Sequence, residues 1–182
     1  LGGTKRGDAQ AKSLARKKFS PSLFVVHFGL EGTWPGIPHH AILFGPRYKG
    51  LLDDIYEHGV LPQDFSIYLH HPTVTDPSMA PPGQSTFYAL VPVAHMGMLA
   101  VDWEQVGPLL EKRILDEVGR RLIPDIHDRI AGLDIAVIAD RDAANMVVTL
   151  VRDRDLPGAI RNVYGRDRAR RLQFGQQLTN AT

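Results

Sequence analysis

The chain contains no cysteine. Disulfides, thiolate-bound metals and a cysteine nucleophile are therefore excluded, and a reducing, cytoplasmic setting is expected. No stretch reaches the run of about 18 apolar residues that a membrane-crossing helix needs. The first residue is leucine, and Leu1-Gly2-Gly3-Thr4-Lys5 has no apolar signal core, which raises the expectation of an internal piece. Charge of one sign is not in excess: 21 Lys and Arg stand against 20 Asp and Glu, a formal +1, so no strong field points to nucleic acid. Phosphate-binding glycine turns are also missing. Gly2-Gly3 with Gly7, and Gly29 with Gly32 and Gly36, do not have the G-x-G-x-x-G spacing, and no G-x-x-x-x-G-K-[ST] loop occurs. Gly83-Gln84-Ser85-Thr86-Phe87 ends on phenylalanine where a nucleophile elbow needs its second glycine.

What is present suits one ordinary domain: 182 residues, 43% hydrophobic and 23% charged. Asp8 is placed to cap a short basic helix. Leu23 to Leu30 predicts a buried strand, and Ala41 to Phe44 a second one. Between them, Gly32 to Pro38 must be a loop, since its prolines and glycines forbid a ladder. Gly45-Pro46 opens a helix whose apolar stripe is Tyr48, Leu51, Leu52, Ile55 and Tyr56, with Gly59 as its left-handed end. Phe65 to Leu69 alternates as a half-buried strand. A proline-rich loop from Pro72 to Gly83 joins it to a neighbouring strand from Thr86 to Val93. Asp102, with Gln105 as reciprocal partner, caps a helix expected to run properly only from Gly107 to Leu122, because Pro108 sits too deep for a first turn. Lys112, Arg113, Arg120 and Arg121 are expected to face out. Pro124 ends the helix, and Asp125 to Ile130 adds a short turn.

From Leu133 onward lysine and histidine disappear, and every cation is an arginine. Val147 to Val151 predicts a strand, Asp167 to Leu172 a basic helical turn, and the last seven residues a frayed end.

The chemistry-bearing residues are few. His39-His40 and His70-His71 are adjacent pairs. Neighbours on a strand point to opposite faces, so at most one of each pair is expected to serve a site, and the simple reading is one core histidine and one exposed. A metal is not expected there. Arg47, at a strand-to-helix turn beside Tyr48, is the most site-like cation, suited to an anion or polar partner. Asp53 and Asp54 read as solvent charges. Trp34 in its loop could wall an apolar pocket.

One ordered set of segments says more: Ser20-Pro-Ser-Leu-Phe-Val-Val-His-Phe-Gly-Leu, Gly-Thr-Trp-Pro, His39-His40-Ala-Ile-Leu-Phe-Gly-Pro-Arg-Tyr, Asp64-Phe-Ser-Ile-Tyr-Leu-His-His-Pro-Thr-Val-Thr-Asp and Leu90-Val-Pro-Val-Ala-His95. Together they resemble the central part of bacterial-type phytoene desaturases, from about Leu1 to Arg129. The resemblance implies an FAD-dependent oxidoreductase that introduces double bonds into an acyclic carotenoid precursor, at the periphery of the inner membrane. It implies an α/β fold of the α+β type: a mixed sheet with flanking helices, forming the substrate side of a two-domain flavin fold that is incomplete here. On this reading residues 1–19 are a basic lead-in, 20–131 the substrate-domain segment, and 132–182 a divergent arginine-rich tail from a frameshift, fusion or true divergence. Arg47, His39 and His40 are then the candidates for polar groups near the reacting centre. Phe24, Phe28, Trp34, Phe44, Tyr68, Phe87 and Tyr88 are candidates for an apolar substrate tunnel, though each could equally be core. The segment alone is expected to be inactive. The alternative is a non-catalytic module that binds an isoprenoid or packs on a partner.

Overall fold

The computed structural model describes residues 3–14, 16–17, 20–95, 97–140 and 145–154, with only the backbone described for 134–140 and 145–154. The expected turn at Asp167 to Leu172 and the frayed end lie outside the described residues.

Six strands form one sheet: β1 (Ser22–Glu31), β2 (His40–Leu43), β3 (Ile67–His70), β4 (Gln84–Val93), β5 (Ile130–Asp140) and β6 (Asn145–Arg154). Their order is β2-β3-β4-β1-β5-β6. The α+β architecture holds, and each ladder is antiparallel rather than mixed. The strand expected at Thr86 to Val93 is present in β4, and its burial alternates residue by residue: Ser85, Phe87, Ala89, Val91 and Val93 are buried, and their neighbours are half-buried. β5 crosses position 131 and pairs with β1 along its length, so the sheet continues past the expected domain boundary.

Helix α1 (Lys5–Leu14) buries no residue. Its cap is Thr4, whose hydroxyl accepts from the Gly7 amide at 3.1 Å. Asp8 instead lies inside the first turn. Helix α2 (Tyr48–Asp53) widens into a π turn at Asp54–His58 and stops at Gly59, which has φ 63° as expected. Only Leu51 and Ile55 of its stripe are buried; Tyr48 and Tyr56 are exposed.

Helix α3 runs from Trp103 to Arg121 and contains Pro108, so the late start at Gly107 is corrected. Trp103 is buried against Phe24, rings 5.9 Å apart, and this contact anchors the first turn despite the missing amide at Pro108. Asp102 caps the helix by accepting from the Glu104 amide at 3.0 Å. Gln105 bonds the Asp102 carboxylate at 2.8 Å rather than its amide. Leu110, Ile114 and Val118 press onto one face of the sheet, made by Phe24, Phe28, Ile67, Leu69 and Phe87 among others. Arg113 does not face out freely: it donates to the Pro62 and Gln63 carbonyls and lies 5.2 Å over the Phe65 ring.

Candidate functional site

The second face of the sheet carries the polar chemistry. Strand alternation puts residues of one register row on the same face. His40 pairs with His70, His70 with Tyr88, and Tyr88 with His27. A row of three imidazoles and a phenol therefore crosses β2, β3, β4 and β1. His70 and Tyr88 rings are 4.6 Å apart, His27 and Tyr88 rings 5.4 Å, and Tyr68 lies 5.9 Å from His40 and 5.7 Å from Tyr88.

His39 joins this row, and the expectation that only one of His39 and His40 could serve is corrected. β2 begins at His40, so His39 lies outside the strand and alternation does not apply to it. Its ring centroid is 4.4 Å from that of His40 and 4.7 Å from that of His70. His39 Nε2 is 2.9 Å from His70 Nε2, and His39 Nδ1 is 2.6 Å from the Thr75 hydroxyl. Tyr68 OH is 2.7 Å from His40 Nδ1. Thr75 is delivered by the two short 3-10 turns, Pro72–Val74 and Pro77–Met79, that fold the expected loop.

The other pair divides at the end of β3, His71 lying just beyond the strand. His71 is buried, 3.0 Å from the Ile37 carbonyl through Nδ1, and stacked on Phe87 at 4.2 Å. His70 is half-buried on the second face. Burial pushes the pKa of His70 down, and the nearness of His39, His40 and His71 adds to this. Burial, then His70, pushes His27 down to about 4. Burial thus favours the neutral imidazole at His27 and His70.

Arg47 is held locally. Its guanidinium bonds Asp54 at 3.2 Å and Asp64 at 2.5 Å, and its amide donates to Asp64 at 3.1 Å. Those carboxylate bonds hold its pKa above the usual value, so its charge is permanent and already matched. Asp54 is therefore no idle solvent charge: it braces Arg47 and lies 3.5 Å from His58.

The aromatic candidates fall into three places. Phe24, Phe28 and Phe87 are fully buried between the sheet and α3, with Phe28 stacked on Phe87 at 5.4 Å. Trp34 is half-buried, edge-on to Phe87 at 5.9 Å. Tyr68 and Tyr88 stand on the second face with the histidines, and Phe44 is exposed beside Tyr48, rings 5.4 Å apart. His27 and Thr75 do not stand out from sequence, and His70 stands out there only as one of a pair with His71. The signal that finds them is strand register, which no local pattern carries.

The described residues do not form a flavin pyrophosphate cradle. Such a cradle needs a glycine turn between a strand and a helix in a parallel unit. Here the ladders are antiparallel, and the positive-φ glycines Gly32 and Gly83 meet each other where β1 ends and β4 begins, the Gly32 amide donating to the Gly83 carbonyl at 2.8 Å, rather than opening a helix.

No protein-family model matches the chain. Among curated proteins it is 49% identical over 140 residues to a lycopene-forming phytoene desaturase of a Paracoccus species, covering 77% of this chain and 28% of that protein. It is 46% identical over 134 residues to the lycopene-forming phytoene desaturase of Pseudescherichia vulneris, covering 74% of this chain and 27% of that protein. The neurosporene-forming phytoene desaturase of Cereibacter sphaeroides is 45% identical over 127 residues, 68% of this chain and 24% of that protein. The chain spans about a quarter of the length of these relatives.

Proposed function

We propose that this chain, 49% identical to one bacterial phytoene desaturase and 46% to another over roughly three quarters of its length, forms the substrate-side wall of an enzyme that dehydrogenates an acyclic carotenoid precursor. One observation carries the reading: the second face of the sheet presents a histidine–tyrosine row, with apolar groups left open to solvent beside it. Ile42 is 59% exposed and Phe44 57%. A hydrocarbon offers no hydrogen bonds, so a site for it needs apolar walls with few, well-placed polar groups. Dehydrogenation of a carbon–carbon bond removes a hydride and a proton from adjacent carbons. A ring nitrogen of this row that is not otherwise engaged is suited to receive the proton. The hydride acceptor lies outside the described residues, where the FAD implied by the resemblance would be held. His39 and His40 then stand near the reacting bond with Tyr68, Tyr88 and Phe44, while Arg47 fixes the turn that leads from β2 into α2.

The same reading places the protein in the cytoplasm in peripheral contact with the inner membrane, where such a substrate dissolves. Ile42, Phe44 and Tyr48 supply exposed apolar contact, and α1 supplies Lys5, Arg6 and Lys12 for anionic headgroups. Among the described residues no helix is long and apolar enough to cross a membrane.

The test is a graft. The stretch of the Paracoccus desaturase that this chain matches is replaced by the matching 140 residues of this chain, and the chimera is supplied with phytoene. Coloured desaturated products are expected. A chimera that is soluble and loaded with flavin yet leaves phytoene unchanged would overturn the proposal.

A further inference from the structure

His39, His40 and His70 each offer one ring nitrogen, and these three atoms lie within 4.8 Å of one another. We propose that these imidazoles bind a divalent transition cation of the zinc class, with Thr75 and Tyr68 as the groups that orient two of them.

The spacing is the first argument. In a tetrahedral site with zinc–nitrogen bonds of about 2.0–2.1 Å, ligand nitrogens stand roughly 3.3 Å apart. His39 Nε2 and His70 Nε2 are already 2.9 Å apart. His40 is exposed on the edge strand β2, so its ring is free of core packing and can rotate to close the set. The backbone has fixed the three together, because His40 pairs with His70 across β2 and β3 and the His71 amide donates to the His39 carbonyl at 2.8 Å.

The outer contacts are the second argument. A metal-bound imidazole commonly donates its other N–H to an oxygen, which fixes tautomer and ring orientation. Thr75 Oγ1 stands 2.6 Å from His39 Nδ1, and Tyr68 OH stands 2.7 Å from His40 Nδ1. With both Nδ1 atoms donating to these hydroxyls, the Nε2 lone pairs of His39 and His40 are left for a ligand role. The lone pair of His39 Nε2 then faces His70 Nε2, an approach that needs a proton or a cation between the two. His70 Nδ1 is buried with no hydrogen-bond partner among the described residues, so nothing there competes to reorient the ring.

The ligand set gives the class of metal. Three imidazoles and no carboxylate favour zinc, copper, nickel or cobalt over magnesium or calcium. Three protein ligands leave a fourth position for water or another small donor. Bound there, the ion would tie the edge strand β2 to β3 and to the turns that carry Thr75.

The probe is Co(II), added to the metal-free 182-residue chain. One equivalent is expected to bind with the visible bands of a nitrogen-ligated ion, to be displaced by Zn(II), and to be unaffected by excess Mg(II). His40→Ala and His70→Ala should abolish the bands. Thr75→Val and Tyr68→Phe should weaken binding roughly tenfold to a hundredfold while keeping all three ligands, an effect of lost ligand orientation. His58→Ala and His127→Ala, outside the cluster, should change nothing. Circular dichroism of each variant separates lost ligands from lost fold, and His40, being exposed, can be removed without opening the core. A folded chain without stoichiometric Co(II) binding overturns the proposal, as does binding that survives His40→Ala.

Discussion

The imidazole of His27 lies against the ring of Tyr88 across β1 and β4, centroids 5.4 Å apart and planes tilted by 54°. This places a titratable group where the fold shields it from water on the second face. Burial first, and the nearness of His70 second, lower the His27 pKa from 6.5 to about 4. The folded chain therefore resists protonation that the unfolded chain accepts. Above about pH 6.5 both states are neutral and stability is complete. As pH falls from there towards about 4, the unfolded state binds the extra proton and stability declines, by roughly 3 kcal/mol in all. His70 and His71, also lowered by burial, push in the same direction. Urea midpoints measured from neutral to mildly acid pH should fall steeply, and His27→Phe should flatten the fall. A midpoint that holds steady over that range is incompatible with the neutral, shielded His27 described here.

His71 illustrates a histidine used as core. Its ring stacks on Phe87 at 4.2 Å with planes 15° apart, and Nδ1 meets the Ile37 carbonyl at 3.0 Å. His71→Ala removes the stack and leaves both a cavity and an unpaired carbonyl, which should cost about 2–4 kcal/mol. His71→Phe keeps the stacked surface and loses only the polar contact, so about 1–3 kcal/mol is expected. Equilibrium denaturation of the two variants should rank them in that order. Equal losses would mean that the Ile37 contact, not the stack, dominates.

Periodicity made much of this fold legible. The strand expected at Thr86 to Val93 lies within β4 (Gln84–Val93), and the strand expected at Val147 to Val151 lies within β6 (Asn145–Arg154). α3 was legible in its stripe but not in its start. Pro108 argued locally for a late beginning, and the burial of Trp103 against Phe24, a contact between residues far apart in sequence, outweighed it. The site was half legible. His39 and His40 stood out as a pair, yet alternation wrongly split them because the strand edge falls between them. His70, Tyr88 and His27 become neighbours only through register, which depends on how β2, β3, β4 and β1 dock. Arg47 stood out as an unmatched cation because Asp64 is distant in sequence and arrives only through the fold.

Gly59 joins the π turn to the chain that follows. Its φ of 63° is the left-handed region, and a Cβ there would stand 2.9 Å from Met98 Cβ. Gly59→Ala meets both the backbone penalty, about 1 kcal/mol, and a side-chain collision, so a loss of about 2 kcal/mol or more is expected. Pairing it with Met98→Gly, which removes that Cβ, should recover part of the collision but none of the backbone penalty, judged against Met98→Gly alone. Full recovery in the double variant, read from thermal midpoints, would contradict the assigned φ.

Arg113 shows how a helix cation can be structural without an ion pair. One of its terminal nitrogens donates to the carbonyls of Pro62 and Gln63, and its guanidinium carbon lies 5.2 Å over the Phe65 ring. These contacts fasten α3 to the segment leading into β3, the strand that carries Tyr68 and His70. Arg113→Ala should cost about 1–2 kcal/mol through the lost charged hydrogen bonds and ring contact. Arg113→Lys keeps the charge but replaces a planar, fork-shaped donor with a single ammonium, so it should recover less than half of that loss. A lysine variant as stable as the original would show that charge alone suffices here. Because the tether lies on the core side of the sheet, the alanine variant should also leave the Co(II) bands of the histidine cluster intact wherever the chain remains folded.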